Sequence, residues 1–304
     1  MNVRRGVMVG ALWLIACGSG WAQEMPAELK ARLQRRVTLD FSETPVGDTV
    51  QFLREVTGVN MLLDPRVALE LPITAQLEQV TVEDAMDQLL RPLGLRSGCR
   101  CGVLVVAREL RLKAFPVAAP AIPAEADPAA PCWGALKKRV TFDFTDTPLT
   151  DVTGYLAALG LPIRLDGWPE GAGPNVTLAL RDLEAQDVLT LLAFVTKSQL
   201  VFEKDKITIR PAPAPRWADV RAELVAWAEE TTPAEADAIG ALVARLDAVE
   251  AGPRDAARAE LVKLGRKALV RLVDAYEADG LAPDRRAGAK KVLEDLSGLE
   301  IPDP

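Results

Sequence analysis

The sequence predicts an α+β protein made of two tandem β-α-β-β-α-β-β modules followed by a small all-α domain. The first observation is a duplication, since "RVTLDFSETP", which starts at Arg36, returns as "RVTFDFTDTP", which starts at Arg139. The second is that apolar residues within each copy switch between a period of two and a period near 3.6, which is typical of alternating strands and helices. The third is a helical period that begins at residue 217 and continues to the last residue.

The first copy opens with a predicted strand and a predicted helix start. Val37, Leu39 and Phe41 alternate with polar residues, which indicates a strand with one buried face. The pair Thr44-Pro45 then predicts the start of a helix, because threonine is a good N-cap and proline is tolerated at the first helical position.

The rest of the copy follows in the same way. Gly58 ends the first helix, and strands are predicted over 59–64 and 71–77. Thr81 and Asp84 have the spacing of a capping box and predict the second helix. A hairpin around Cys99–Gly102 leads into the last strand, so the order is β-α-β-β-α-β-β.

The second copy repeats this order, with Thr147-Pro148 as its first predicted helix cap. Its apolar positions match those of the first copy at an offset of 103 residues through both helices. Each copy has roughly 70 residues, enough for a marginal core of its own. We therefore predict two separate sandwiches joined by a flexible Pro/Ala-rich linker.

The predicted divisions of the chain follow from these patterns. They are a signal peptide at 1–22 (or a lipoprotein signal at 1–16), a first module at 36–110, a linker at 111–137, a second module at 138–211 and a helical domain at 217–304.

The first residues have the features of an export signal. Arg4 and Arg5 precede an apolar run of 11 residues, "GVMVGALWLIA", which is too short to span a bilayer. Two cleavage sites compete. "GWA" predicts cleavage after Ala22, whereas "LIAC" predicts a lipoprotein in which Cys17 takes the lipid. Both place the mature protein outside the cytoplasm, in the periplasm or anchored to the outer membrane.

The remaining cysteines are Cys99, Cys101 and Cys132. In an exported protein they predict a structural disulfide from Cys99 or Cys101 to Cys132, with one thiol left over. The "CRC" spacing does not predict a metal site, because no second pair or histidine completes four ligands.

Composition excludes several function classes. Histidine is absent, which removes histidine-based triads and imidazole-ligated zinc. The net charge of −7 argues against a nucleic-acid partner. No nucleophile–base pair, metal cluster or cofactor fingerprint appears, so we predict no catalytic, cofactor-binding or metal-binding residues, and a protein that is not an enzyme.

The string "VTxDFxxTPxxD … LREVTGVNMLLDP … ITAQLEQVTVEDAMDQLLRPLGL … GVLVV" resembles the STN-type domain, the short N-terminal domain of secretins and TonB-dependent receptors. Tandem copies of this kind resemble those of exported bacterial proteins of planctomycete style. The resemblance covers about half of the chain and implies a protein-docking module that binds envelope partners.

The helical domain departs from that family. A secretin or a TonB-dependent receptor continues into a barrel, whereas this chain continues into segments such as "RDAARAELVKLG" and "RKALVRLVDAYEADG", which resemble HEAT-like hairpins. The chain is therefore predicted to be neither a secretin nor a receptor.

Few residues stand out as contact sites. Asp40 and Asp143 occupy matching strand positions and are predicted to be solvated rather than paired. Trp168, on the loop "GWPEGAG", is a candidate contact for a partner, or a cover for the sheet edge. Strand edges can take an added strand, and Pro72 and Arg164 are candidate edge guards.

We therefore expect an exported, non-enzymatic adaptor or scaffold that docks envelope proteins, such as components of a secretion or transport complex. Its only expected membrane contact is an N-terminal lipid anchor. The alternative is a module that binds peptidoglycan or another wall polymer, which the low aromatic content of 5% does not favour.

Overall fold

A computed structural model of the chain describes residues 25–116, 119, 131–168, 173–203, 206–278 and 282–304. Cys17 and both predicted cleavage sites lie outside the described residues. The described chain is mixed α+β, with several small sheets and a helical C-terminal region, which confirms the predicted fold class at this level. No helix in this part of the chain is both long enough and apolar enough to cross a membrane.

The first repeat contains four α-helices and five strands, with a 3-10 turn at Arg91–Leu93. They are α1 (Ala27–Leu33), β1 (Arg36–Pro45), α2 (Val46–Thr57), β2 (Met61–Leu63), β3 (Pro72–Thr81), α3 (Val82–Leu90), β4 (Leu95–Arg100), β5 (Val103–Arg108) and α4 (Glu109–Ala114). Strands β1 and β3 form an antiparallel two-stranded ribbon. In the three-stranded sheet the central strand β5 runs parallel to β2 and antiparallel to β4.

The second repeat has the same order of strands and the same pairing. Its elements are α5 (Pro131–Leu136), β6 (Arg139–Pro148), α6 (Leu149–Ala158), β7 (Ile163–Leu165), β8 (Asn175–Glu184), α7 (Ala185–Val195), β9 (Ser198–Phe202) and β10 (Ile207–Pro211). The ribbon is β6–β8, and the three-stranded sheet has the order β7-β10-β9. The predicted linker 111–137 thus starts inside α4 and ends just after α5, and residues 117–118 and 120–130 lie outside the described residues.

Both ribbons contain β-bulges, and these bulges explain part of the sequence duplication. Gln79 and Asp182 hold matching positions with positive φ angles of 52° and 53°. In the second repeat the hydroxyl of Thr141 accepts the N–H of Asp182 at 2.8 Å, and Arg139 Nε donates to the Asp182 carboxylate at 2.6 Å. The shared "RVT" therefore supplies side chains that hold a bulge in a strained backbone conformation.

The predicted threonine caps at Thr44 and Thr147 are wrong. Helix α2 begins at Val46 after Pro45, and Thr44 lies inside β1, opposite Ile73. The first N–H group of the helix, on Val46, instead donates to the carbonyl of Leu71 at 2.8 Å. This N–H group is thus satisfied by a tertiary contact rather than by the threonine side chain that the local sequence predicted. The cap at Thr81 is confirmed, since its hydroxyl accepts the N–H of Asp84.

The helical region has a core of its own. Its helices are α8 (Trp217–Trp227), α9 (Pro233–Ala244), α10 (Ala251–Leu264), α11 (Leu269–Glu277) and α12 (Pro283–Ser297). Their buried side chains form one cluster around Leu261, Leu272 and Tyr276. The prediction of a helical region after residue 217 is confirmed.

The two repeats share part of their core, which differs from the expected pair of separate sandwiches. Leu104 and Val106 of β5 face the core of the first repeat, whereas Val103, Val105 and Ala107 belong to the buried cluster of the second. In β5 five consecutive apolar residues are buried. A strand that is covered on both faces does not alternate between apolar and polar residues, so both repeats can pack against β5.

Candidate functional site

The candidate site lies where the two repeats and the helical region meet. Its first component is the stacking face, which we define as Leu62, Val103, Val105 and Ala107 on the outer side of the β2-β5-β4 sheet. These side chains share one buried cluster with Trp133 of α5 and Leu183 of β8. The second repeat therefore covers the sheet of the first.

The same positions in the second repeat are polar. Leu62 pairs with Val105 in the first sheet, and Arg164 pairs with Thr208 at the matching place in the second. Lys206, just before β10, and Arg210 within it correspond to Val103 and Ala107. Arg164 is exposed, and the buried hydroxyl of Thr208 is satisfied by the carboxylate of Glu203. Polar groups of this kind disfavour a further apolar layer on this face.

A second component is a pair of hydrogen bonds between the repeats. The side-chain amide of Asn60 donates to the carbonyl of Arg181 at 2.7 Å, and its oxygen accepts the N–H of Arg181 at 2.9 Å. Arg181 lies in β8, so the amide of Asn60 pairs with this strand as a neighbouring peptide group would. The matching residue of the first repeat is Glu78 in β3, and no described residue outside the β1–β3 ribbon bonds to its backbone.

Beside this contact lies a groove of about 230 Å³ between the repeats. Arg54 and Asn60 line one side, and Thr141, Asp143 and Arg181 line the ribbon side. The predicted exposure of Asp143 agrees with its position here. Asp40, its counterpart in the first repeat, does not line the groove.

The third component is α4, which we call the junction helix. Three successive side chains of this helix enter three different surroundings. Leu110 belongs to the core of the helical region, Leu112 to the cluster shared by the repeats, and Arg111 pairs with Asp64 of the first repeat. A single helical turn therefore contacts all three parts of the chain.

The pair Arg111–Asp64 is buried and well satisfied. Nε of Arg111 lies 3.0 Å from the Asp64 carboxylate, and the two side chains are 9% and 1% exposed. The guanidinium carbon lies 3.9 Å from the ring centre of Phe194 in α7 and 5.2 Å from that of Phe115. Burial lowers the pKa of Arg111 to about 10, and the Asp64 carboxylate opposes that shift.

The fourth component is the segment after α12, which we call the strap and define as Gly298–Ile301. Arg66 donates to the Gly298 carbonyl at 2.8 Å. The Glu300 carboxylate lies 3.3 Å from Arg66 of the first repeat and 2.6 Å from Lys197 of the second. Ile301 is fully buried in the core of the helical region.

The cysteines are placed as follows. Cys99 and Cys101 are buried, and the side chain of Cys132 lies outside the described residues. The predicted disulfide therefore stays a prediction, as does lipidation of Cys17. Burial raises the pKa of the Cys99 thiol and raises that of Cys101 to about 12, which disfavours the reactive thiolate form of both.

Trp168 is half-buried and packs against the core of the second repeat. Its indole N–H is buried and finds no acceptor among the described residues. Both predicted roles of Trp168, as a cover for the sheet edge and as a contact for a partner, stay predictions.

Comparison with known proteins adds no relative, because no family model, curated protein or solved structure matches the chain. Among the described residues, no three histidine, cysteine, aspartate or glutamate side chains are grouped to hold a metal ion. The chemistry that the site offers is hydrogen bonding along strand edges, together with buried ionic contact.

Sequence reasoning missed Asn60, Asp64 and Arg111. One signal was available, because the continuous apolar run "VLVVA" is typical of a strand buried on both faces and so predicts a covering layer. Nothing in the local pattern indicates that Arg111 and Asp64, 47 residues apart, would meet.

Proposed function

We propose that this protein is an exported, non-enzymatic docking adaptor of the bacterial envelope, and that its repeats are STN-type β-α-β-β-α-β-β modules. We further propose that a protein partner adds an extended segment to the free edge of β3. The observation that carries this proposal is the contact of Asn60 with Arg181.

That contact is an internal example of the proposed interaction. The edge of β8 accepts a hydrogen-bonding group from outside its own ribbon at Arg181. The matching edge in the first repeat, at Glu78, is exposed and takes no such group from any described residue. An added strand gains affinity from main-chain hydrogen bonds at an edge of this kind.

The candidate edge guards leave this edge open. Pro72 lies at the start of β3, opposite Pro45, and so blocks only one end of the strand. Arg164 lies on β7, an edge strand of the second repeat's three-stranded sheet. Gln76 and Glu78 are both exposed and lie two residues apart, so their backbone groups point to the same side of the strand.

The test is site-specific photo-crosslinking of the full chain in its own cells. A photo-reactive amino acid replaces Glu78 in one variant and Arg181 in the control, whose edge is already occupied. We expect crosslinked protein at position 78 and little at 181, and Gln76→Pro should remove the crosslink because proline has no N–H to donate.

Equal crosslinking at the two positions, or crosslinking that Gln76→Pro leaves unchanged, would contradict docking at this edge. Thermal unfolding of the Gln76→Pro variant serves as the control for folding.

A further inference from the structure

We infer that the strap, Gly298–Ile301, fastens the helical region to both repeats at once, with Glu300 as the ionic contact that they share. This inference concerns the coupling of the three parts of the chain and does not depend on the proposed docking edge.

One end of the strap is fixed by close backbone packing. A Cβ atom added to Gly298 would lie 2.8 Å from Cβ of Arg108 and 3.0 Å from Cβ of Arg111. The φ angle of Gly298 is also positive, at +70°, which side chains other than glycine rarely adopt. The strap backbone therefore lies directly against the junction helix and its preceding residue.

The other end is fixed by the core of the helical region. Ile301 is fully buried there, and Tyr276 donates its hydroxyl to the carbonyl of Pro302 at 2.9 Å. Glu300 is held between these two ends. The backbone of Glu300 is thus fixed next to the junction helix on one side and to the helical region on the other, while its side chain reaches the repeats.

Glu300 is surrounded by positive charge from different parts of the chain. Lys197 and Arg66 contact its carboxylate. The charge of Lys290 also lowers the pKa of Glu300, and the charge of Glu300 raises the pKa of Arg111. The hydrogen bond from Lys197 and the nearby cations hold the pKa of Glu300 below its usual value. Loss of its charge would leave Arg66 and Lys197 facing each other without a counter-charge.

Leu110 of the junction helix also attaches the helical region to the first repeat, because it inserts into the helical core. Leu110 belongs to the first repeat alone. Glu300 adds a contact with the second repeat through its ion pair with Lys197.

Hydrogen–deuterium exchange of the full chain tests this inference. In Glu300→Gln, the junction helix and the residues around Lys197 should exchange about two- to fivefold faster at low salt, as expected for loss of a partly exposed ion pair. The difference should shrink in 1 M salt, where about 3 Å of screening length remains. In Gly298→Ala, exchange of the junction helix should rise by more than about tenfold, because a positive φ and close contacts are both disturbed.

Asp303→Asn is the matched control, because Asp303 contacts Lys290 and Tyr276, which lie within the helical region. Its effects should stay within α11, α12 and the residues that follow. The inference is overturned if Glu300→Gln exchanges like the wild type around Lys197, or if its faster exchange is confined to residues 283–304.

Discussion

Arg111 joins several kinds of contact in one side chain. Its charge is neutralised by Asp64, its guanidinium lies over Phe194, and its neighbours Leu110 and Leu112 enter two separate cores. A buried charge is costly unless it is paired, so this geometry stabilises the native arrangement only while both partners are present.

Replacing Arg111 with methionine should lower the free energy of unfolding by about 3–5 kcal/mol, because the Asp64 carboxylate would stay buried without the cation that pairs with it. Urea unfolding followed by circular dichroism measures this change. Arg216→Met is the control, since the Arg216–Asp219 pair is exposed and its loss should leave the free energy of unfolding nearly unchanged.

The double variant Asp64→Leu/Arg111→Met should recover much of the lost stability, because two apolar side chains would replace the ion pair. If Arg111→Met costs no more than Arg216→Met, the buried pair does not stabilise the junction.

A second residue-scale effect concerns Asp187, in the first turn of α7. Burial, with Glu184 nearby, raises the pKa of its carboxyl from 3.8 to about 6. The charge of Asp187 also raises the pKa of the Cys99 and Cys101 thiols. Since the folded pKa lies above the unfolded one, the favourable contribution is complete below about pH 4 and is lost as the pH rises through about 6.

Asp187→Asn should therefore stabilise the protein at pH 7.5 by up to about 2 kcal/mol and have little effect at pH 4. Thermal unfolding of the wild type and the variant between pH 4 and 8 measures the difference. A difference that does not change with pH would show that the gain comes from the helix rather than from the ionisation of Asp187.

At the scale of elements, β5 and β10 occupy the same place in two repeats but face different surroundings. Val105 of β5 lies in the stacking face, under the second repeat. Thr208 of β10 lies at the matching position and donates its hydroxyl to the carboxylate of Glu203 at 3.1 Å. Both positions are buried, but Val105 has apolar neighbours from the second repeat, whereas Thr208 is bonded to a carboxylate of its own repeat.

Val105→Thr should lower the free energy of unfolding by about 1–3 kcal/mol, because it buries a hydroxyl without a partner. The reciprocal change, Thr208→Val, loses one hydrogen bond and should cost no more than about 1.5 kcal/mol. Urea unfolding of the two variants gives the comparison. A neutral Val105→Thr would show that the stacking face is not tightly packed against the second repeat.

At the scale of the molecule, the two repeats form a stack that is closed at both ends. Trp133 and Phe194 of the second repeat lie at the contact with the first, whereas the matching residues of the first repeat are Lys30 and Arg91, which are exposed. The outer sheet face of the second repeat is polar in turn. Polar outer faces on terminal repeats keep a stack soluble and stop it from growing.

The stacked arrangement reduces the number of surfaces that remain open for docking. Two independent modules would each offer the same surfaces, but in the stack the sheet of the first repeat is covered and the β8 edge is occupied at Arg181. The edge of β3 remains open at Glu78, so the repeats would act together as one docking unit.

Much of the local structure was predictable from periodicity. The strands over Arg36–Pro45 and Arg139–Pro148, the helix end at Gly58 and the cap at Thr81 depend on residues close in sequence. The cap at Thr44 failed because the carbonyl of Leu71, from a distant loop, competes for the same role.

The sequence by itself determined the mixed α+β class, the duplication and the helical region, because these depend on spacings of a few residues that set which side chains share a face. Only the tertiary structure decided that the first sheet is buried on both faces, that Asn60 meets Arg181 across 121 residues, and that Arg111 and Glu300 join separate parts of the chain. Such contacts depend on how whole faces pack, and the same apolar or charged residue is compatible with several neighbours until that packing is formed.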